Sequence, residues 1–334
     1  MGVKRDRETA GMSNENDNIT EDEAALYDRQ IRLWGLDCQK RLREAKVLII
    51  GLNGLGAEVV KNLTLSGVKS ITIMDETPVS AADTTAQFFV SGCEPGEGRA
   101  KASKAAIQEL NPNVHIEIDS EHISSKPASF FSQFTAVFAT DCPLSVLIRI
   151  NKMCHENKVH FYCGDTWGFY GYCFLDLLKH TYAKIVPKGS KKETEEAVLD
   201  VLDYCPLGPA LGVKVGAGLN RKINKVYILL NIMNNFREMH NHFPSPENRE
   251  SELQLLKSVR SFTLQNLCCE DNKVGDEMLS CVFGELSPVC AAVGGVMANE
   301  IIKGISRKGE PIHNFLLFDG ETCTGVVETI VVRD

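Results

Sequence analysis

Short apolar runs alternate along the first half of the chain with longer segments whose apolar residues recur at helical spacing. Such runs predict buried strands, and five are present: Val47–Ile50, Ser70–Asp75, Val114–Ile118, Ala136–Ala139 and His160–Cys163. The segments at helical spacing predict helices, and they lie between the strands: Gly54–Ser66, Arg99–Leu110 and Leu144–Asn157. This alternation with short connections predicts an α/β fold with a doubly wound, Rossmann-like parallel sheet.

The chain departs from this pattern before the first strand. Residues 1–19 are polar without an apolar period, which predicts a disordered tail. Thr20 and Glu23 have capping-box spacing, so we expect a helix to begin there, to carry the segment 27–32 and to end at Gly35. A second short helix, from Gln39 to about residue 45, should lead into the first strand.

The pattern also changes after Gly164. The segment 169–175 alternates and predicts an antiparallel hairpin, and Lys188–Glu196 reads as a charged loop. Three further helices and two closing strands are predicted: Ile223–His240, Glu250–Leu267, Pro288–Ile305, Phe315–Phe318 and Val326–Val331. We therefore divide the chain into four parts, which are the tail at 1–19, the first part of the α/β core at 20–187, a mainly helical insertion at 188–283 and the closing part of the core at 284–334.

Composition limits the classes of function. The formal net charge is −8, which argues against a nucleic-acid partner, because phosphate binding needs a basic face. The twelve cysteines include no C-x-x-C pair, so we expect no metal site and reduced core thiols. No apolar run approaches the roughly 20 residues of a spanning helix, and no membrane partner is expected. These features predict a soluble protein of the cytosol or nucleus.

A glycine loop joins the first strand to the next helix. Gly51, Gly54 and Gly56 form G-x-x-G-x-G, and Asp75 closes the following strand 19 residues after Gly56. Helix N-terminal amides bind phosphate and such an acid binds ribose, so the context predicts a nucleotide site. Asn53 stands where a second glycine would admit phosphate, and Asn tolerates left-handed backbone angles. A turn kept only for packing, or a dehydrogenase site, remains an alternative, although no Tyr-x-x-x-Lys dyad follows.

Motifs from about residue 25 to 320 carry a resemblance. The stretch YDRQIRLWG, Tyr27–Gly35, precedes the first strand, and dehydrogenases lack it. Others follow in order: Asn62–Val68, Ala86–Phe88, Leu110–Pro112, Gly164–Gly168, Ser287–Gly295, Glu300–Lys303 and Phe318–Gly320. Together they resemble the ubiquitin-like activating enzymes, and among these the smaller, non-thioester (Aos-type) subunits that act on SUMO. The resemblance implies a ThiF/MoeB-type adenylation fold, interrupted at 188–283 by the remnant of a catalytic-cysteine domain.

The resemblance also implies that the nucleotide site has lost its chemistry. Active members carry an arginine where this chain has Ala86, and an Asp-Asn pair, whose Asp serves magnesium, where it has Asp141 and Cys142. Lys101 matches the basic residue of the following helix, and Asp75 the ribose acid. With Asn53, the departures fall on separate parts of one site. We therefore expect no functional nucleotide binding and no metal at Gly51, Asn53, Gly54, Gly56, Asp75, Ala86, Lys101, Asp141 and Cys142.

The role that the resemblance leaves to this chain is in trans, at the nucleotide site of a partner subunit. Arg29 matches the arginine that, in this family, reaches into the partner's nucleotide site, and Arg32 is the second candidate. The implied partner is the larger, thioester-forming subunit, where ATP and magnesium bind and which SUMO engages through the heterodimer. Cys205 reads as an ordinary cysteine. The alternative is a self-sufficient homodimeric adenylyltransferase of a ubiquitin-like or sulfur-carrier protein, against which Ala86 and Cys142 count.

Overall fold

The computed structural model describes residues 19–187, 195–213, 223–269 and 273–331. Eight strands form one sheet in the order β10-β9-β6-β5-β4-β1-β2-β3, and β7 and β8 form a separate two-stranded sheet. The strands are β1 Lys46–Ile50, β2 Ser70–Met74, β3 His115–Ile118, β4 Ala136–Ala139, β5 His160–Trp167, β6 Tyr170–Asp176, β7 Lys179–Pro187, β8 Glu195–Asp203, β9 Phe315–Asp319 and β10 Thr324–Glu328.

Helices cover both faces of the large sheet. They are α1 Glu21–Leu26, α2 Asp28–Trp34, α3 Leu36–Glu44, α4 Gly54–Ser66, α5 Arg99–Leu110, α6 Ala128–Phe131, α7 Leu144–Glu156, α8 Leu207–Leu211, α9 Lys225–His240, α10 Arg249–Leu267, α11 Asp276–Ser280 and α12 Ser287–Ser306. Segments 1–18, 188–194, 214–222, 270–272 and 332–334, with most of the predicted tail and charged loop, lie outside the described residues.

The predicted doubly wound sheet is confirmed. Strands β3, β2, β1, β4 and β5 run parallel, and β6 returns antiparallel against β5 as the predicted hairpin. The apolar runs became central strands because both of their faces are covered, as parallel sheets require. Since β1 lies between β2 and β4, the chain winds in opposite directions on its two sides. Open α/β sheets bind ligands at the carboxyl end of such a switch point.

Two buried clusters, one on each face, form the core. On one face α4 and α12 pack together over β1, β2 and β5. On the other, α7 and α9 pack against β4, β5, β6 and β9, and α10 packs on α9. Helix α9 comes from the predicted insertion, and its buried residues, such as Leu229 and Phe236, belong to the same cluster as Phe161 of β5. The boundaries at 187/188 and 283/284 remain a prediction.

Several element boundaries differ from the sequence prediction. The N-terminal helix is two helices, because Tyr27 leaves helical geometry (φ −99°, ψ 14°) and turns inward, where its hydroxyl accepts a 2.8 Å hydrogen bond from Asn111. Glu195 and Glu196 belong to strand β8 rather than to a charged loop. The last strand ends at Glu328, three residues before the predicted end.

The prediction that no apolar run approaches the length of a membrane-spanning helix was wrong. Helix α12, with 20 residues, is long and apolar enough to cross a membrane by composition. It is a core helix, however, since 67% of its apolar window is buried inside the protein. The small residues of α12 allow close packing on α4: a Cβ added at Gly294 would lie 2.6 Å from the Cβ of Glu58.

Candidate functional site

A cavity of about 610 Å³ opens at the switch point. Its polar wall includes Asn53, Arg99, Asp141, Asp165 and Glu285, and aromatic rings close the opposite side. Asn53 and Asp141 follow strands β1 and β4, and Asp165 lies within β5 near its carboxyl end. They meet because parallel strands end at one edge of the sheet, whereas Arg99 and Glu285 enter from distant segments. The cavity therefore lies where the glycine loop predicted a nucleotide site.

The glycine loop is built by close backbone contacts. Gly51 has φ +87°, and a Cβ there would lie 2.4 Å from the carbonyl oxygen of Thr140. Asn53 has φ −69° and ψ −168°, so the left-handed angle expected of it occurs at Gly51 instead. Asn53 is the N-cap of α4, and its side-chain oxygen accepts a 3.0 Å hydrogen bond from the amide of Gly56. Asn suits this position because N-cap side chains satisfy free helix amides.

The chain's own side chains occupy the amides that would bind phosphate. The Leu52 amide donates to Asp75 Oδ2 at 2.6 Å, and the Gly54 amide donates to Glu285 Oε2 at 3.0 Å. With the bond from Gly56 to Asn53, three alternate donors of the loop, the amides of residues 52, 54 and 56, are engaged. A helix N-terminus attracts anions, and here a carboxylate 231 residues away in sequence occupies it. Sequence reasoning missed Glu285, since no local motif marks it.

Arg99 is a second site residue that the sequence did not reveal. Its guanidinium lies 2.8 Å from Asp75 Oδ2, 2.9 Å from Asp83 Oδ1 and 3.5 Å from Asp141 Oδ2. Burial works against the charge of Arg99, but these carboxylates outweigh it and raise its pKa above the ordinary value. Lys101, the predicted basic residue, is 79% exposed and pairs with Glu97 outside the cavity.

Asp75, the acid predicted to bind a ribose hydroxyl, already accepts hydrogen bonds from other groups of this chain. Its side chain is 2% exposed. One carboxylate oxygen binds Arg99 and the Leu52 amide, and the other accepts a 2.8 Å bond from the Thr77 amide. A ribose hydroxyl would have to displace these internal donors.

Asp141, the predicted remnant of the magnesium site, faces two guanidinium groups. Arg237 of α9 donates to Asp141 Oδ1 at 2.5 Å and to its carbonyl oxygen at 2.7 Å, while Arg99 lies on the other side. Asp141 also has φ +53°, a costly angle for a residue with a side chain. Two cations around one carboxylate neutralise the charge that a metal ion would need.

Cys142 and Ala86 add nothing polar to the cavity. Burial raises the pKa of the Cys142 thiol well above its usual range, and Asp141 adds to this, so the thiol stays protonated and donates to the Thr140 carbonyl at 3.3 Å. Ala86 is 6% exposed and lies against Gly54, where an added Cβ would be 2.6 Å from its own. In the described segments, no group of three or more His, Cys, Asp or Glu side chains could hold a metal ion.

Asp165 is a buried carboxylate at the base of the cavity. Its Oδ1 accepts bonds from the Thr140 hydroxyl at 2.9 Å and the Asp141 amide at 2.7 Å, whereas Oδ2 has no partner among the described residues. Burial raises the pKa of Asp165 to about 7, although the Asp141 amide opposes this. Burial likewise raises the pKa of Glu285. Burial therefore favours the protonated forms of both carboxyl groups, which lie in the wall of the cavity.

Arg29 lies apart from this cavity, on α2. It is exposed, and no hydrogen bond or ion pair joins it to another of the described residues. Arg32, the second candidate, pairs with Asp28 at 3.0 Å one turn earlier. Two apolar residues near it in sequence, Leu26 at the end of α1 and Leu33 one turn later on α2, are 59% and 73% exposed. The structure therefore separates the two arginines, since one is paired and the other is available.

The side chains of Cys205 and His240 make contacts that stabilise the fold. Cys205 donates to the Ile330 carbonyl at 3.1 Å and accepts from the Asn314 side chain at 3.3 Å. His240 packs its ring on Phe236, with centroids 4.6 Å apart. These contacts fit the ordinary cysteine and helix residue that the sequence predicted.

Comparisons with known proteins agree with this architecture. The model of the ThiF family matches residues 27–333. A crystal structure of E. coli MccB with succinimide shares the fold, with a TM-score of 0.55, 14% identity, and coverage of 91% of this chain and 71% of that one. The chain belongs to the ThiF family.

Individual named relatives show more narrowly where the chain belongs within the ThiF family. SUMO-activating enzyme subunit 1 of Homo sapiens is 39% identical, covering 93% of this chain and 96% of its own. The proteins of that name from Xenopus laevis and Danio rerio are also 39% identical, covering 93% and 95% of this chain and 97% of their own lengths. These relatives place the chain among the SUMO-activating enzyme subunit 1 proteins, as the motifs predicted.

Proposed function

We propose that this chain is the non-catalytic subunit of a two-subunit SUMO-activating enzyme, and that it supports adenylation and thioester transfer of SUMO at a larger partner subunit. One observation carries the proposal: the three glycine-loop amides that would bind phosphate are engaged by Asp75, Glu285 and Asn53. On this proposal the chain uses no cofactor itself, and ATP and magnesium bind at the partner. The nuclear and cytoplasmic location follows from the resemblance alone.

The charges of the cavity support an inactive nucleotide site. Five acidic residues line it, Asp83, Asp141, Asp165, Glu247 and Glu285, against the single base Arg99. Arg99 is already shared among three carboxylates. Phosphoryl-type chemistry depends on cations placed around the phosphate oxygens. The arrangement supplies internal ion pairs instead of that positive charge.

The exposed face around Arg29 supports assembly with a partner. Leu26, the last residue of α1, and Leu33 of α2 flank Arg29 in sequence, and Leu65 of α4 is 45% exposed, with its carbonyl bonded to Gln30. A groove beside these residues includes Gly295 and Asn299 of α12. An apolar patch with a polar rim is typical of a protein interface. A guanidinium at its centre can reach a partner's site only once the two subunits assemble.

Replacing Arg29 in the reconstituted two-subunit enzyme tests this role. Removing one positioned donor from a phosphoryl-type transition state typically costs about 100-fold or more in rate. We therefore expect Arg29→Ala to slow SUMO adenylate formation by that order, with assembly unchanged in gel filtration.

Arg32→Ala is the matched control, since Arg32 lies one turn away and is paired with Asp28. A surface pair of this kind is worth less than about 1 kcal/mol, so this variant should adenylate almost normally. Equal rates for wild type and Arg29→Ala would remove Arg29 from the mechanism. Equal losses in both variants would indicate a general effect of surface charge.

A further inference from the structure

The β7–β8 hairpin has an inner and an outer face. His180 and Tyr182 of β7 point inward and are buried, and Leu202 of β8 packs against the core on the same side. On the outer face, Leu199 is 72% exposed and Val201 is 45% exposed. Large apolar side chains on the solvent face of a strand are unusual and mark contact surfaces.

The backbone of β8 is open along its outer edge. Ala183 of β7 pairs with Leu199, yet its amide donates to Arg307 and its carbonyl accepts from Gly309, on the side away from β8. In an antiparallel pair both residues then direct their amides and carbonyls outward. The backbone of Leu199 therefore faces the free edge, and no further strand pairs with β8 in the part of the chain that the structure describes.

Val201 confirms this alternation. It follows Leu199 by two residues and pairs with Thr181, and its amide donates to the side chain of its neighbour Asp200 at 2.9 Å. The Val201 amide thus also lies on the outer edge. An edge strand whose outward amides and carbonyls are not paired with another strand is a template for one, and β-strand addition is a common mode of peptide recognition.

The charge of β8 limits what can pair with it. Its sequence, EEAVLDVLD, holds four acidic residues and no basic one. The lysines of the hairpin, Lys179 and Lys184, lie on β7, across β8 from the open edge, and Lys184 pairs with Asp200 and offsets one of the four acids. A second copy of β8 would bring acidic side chains opposite acidic ones, which is destabilising in cross-strand pairs. A strand with apolar and basic residues would bring opposite charges together.

We propose that the open edge of β8 binds an extended, basic segment of a partner protein by β-strand addition, with apolar side chains of that segment on Leu199 and Val201. The site is separate from the glycine-loop cavity and from the α2 face, and it does not depend on the proposed role in SUMO activation. The free backbone groups supply affinity, and the acidic residues of β8 select for basic partners.

A labelled nine-residue peptide of alternating valine and lysine tests the proposal on the full-length chain by fluorescence anisotropy. We expect it to bind at least ten times tighter than the same peptide with glutamate in place of lysine. Hydrogen–deuterium exchange should show protection by the peptide within 195–203. Leu199→Pro should abolish binding, because proline removes only an outward amide there and is tolerated at such edge positions.

Leu199→Thr and Val327→Thr form a matched pair, since Val327 is a 50% exposed residue of β10, an edge strand of the large sheet. Only Leu199→Thr should weaken the peptide, and circular dichroism should show both variants folded. Equal affinity for the two peptides, or protection outside the β8 segment, would overturn the proposal. So would a concentration-dependent dimer that Leu199→Pro dissociates, because the edge would then pair with a second copy.

Discussion

Glu285 offers the most direct test of the proposal that the glycine loop does not bind phosphate. Its carboxylate lies 3.0 Å from the Gly54 amide, so a phosphate at this helix end would meet a negative charge. At a separation of about 5 Å and an effective dielectric constant of about 20, the repulsion is about 3 kcal/mol. That energy corresponds to about 100-fold in affinity. Glu285→Ala should therefore strengthen magnesium pyrophosphate binding by 10- to 100-fold, from a wild-type affinity of about millimolar or weaker.

Calorimetric titration of three variants beside the wild type separates the effect of the Glu285 charge from that of its hydrogen bond to the Gly54 amide. Glu285→Gln removes the charge but can still accept from the Gly54 amide, so its gain should be smaller than that of Glu285→Ala. Glu109→Ala, an exposed acid on α5, is the control and should behave like wild type. A folded Glu285→Ala protein with unchanged affinity would refute the reasoning. Low-micromolar binding by the unmodified chain would refute the inactive site altogether.

Two further predictions concern activity and stability. The isolated chain should not exchange pyrophosphate into ATP with or without SUMO, and robust exchange would favour the homodimeric adenylyltransferase. Asp165→Asn should stabilise the fold at pH 8 more than at pH 5. Burial raises the pKa of Asp165 from 3.8 to about 7, so the folded state binds the extra proton and native stability falls as pH rises between these values. The full penalty, present above pH 7, is about 4 kcal/mol at most, and equal urea-unfolding differences at both pH values would contradict it.

The sequence predicted the sheet because its parallel strands are buried on both faces. Strand β4 kept its predicted bounds, Ala136–Ala139, for this reason. The β7–β8 hairpin was not foreseen. Its inward residues are His180 and Tyr182, which do not read as an apolar face, and only their burial against the body of the protein reveals the alternation.

The site was harder to predict than the fold, because its partners are distant in sequence. Lys101 matched a motif, but Arg99 is the residue in the cavity. Residues that are two positions apart on a helix are separated by about 200° around its axis, so Arg99 and Lys101 lie on nearly opposite faces. The two contacts that close the site come from Arg237 and Glu285, which lie 96 and 231 residues from Asp141 and Gly54. No spacing rule along the chain connects them.

The bonds from Asp75, Glu285 and Asn53 to the glycine loop change what a mutation there means. In a nucleotide-binding enzyme, a loop that awaits its ligand can be damaged with the fold intact, and the damage is measured as a rate. Here the loop is joined to the rest of the molecule by internal hydrogen bonds, and each lost partner leaves a poorly solvated polar group, at about 1–3 kcal/mol. Inherited or engineered changes at these positions should therefore be detected as reduced abundance of the subunit in cells, rather than as an altered turnover number.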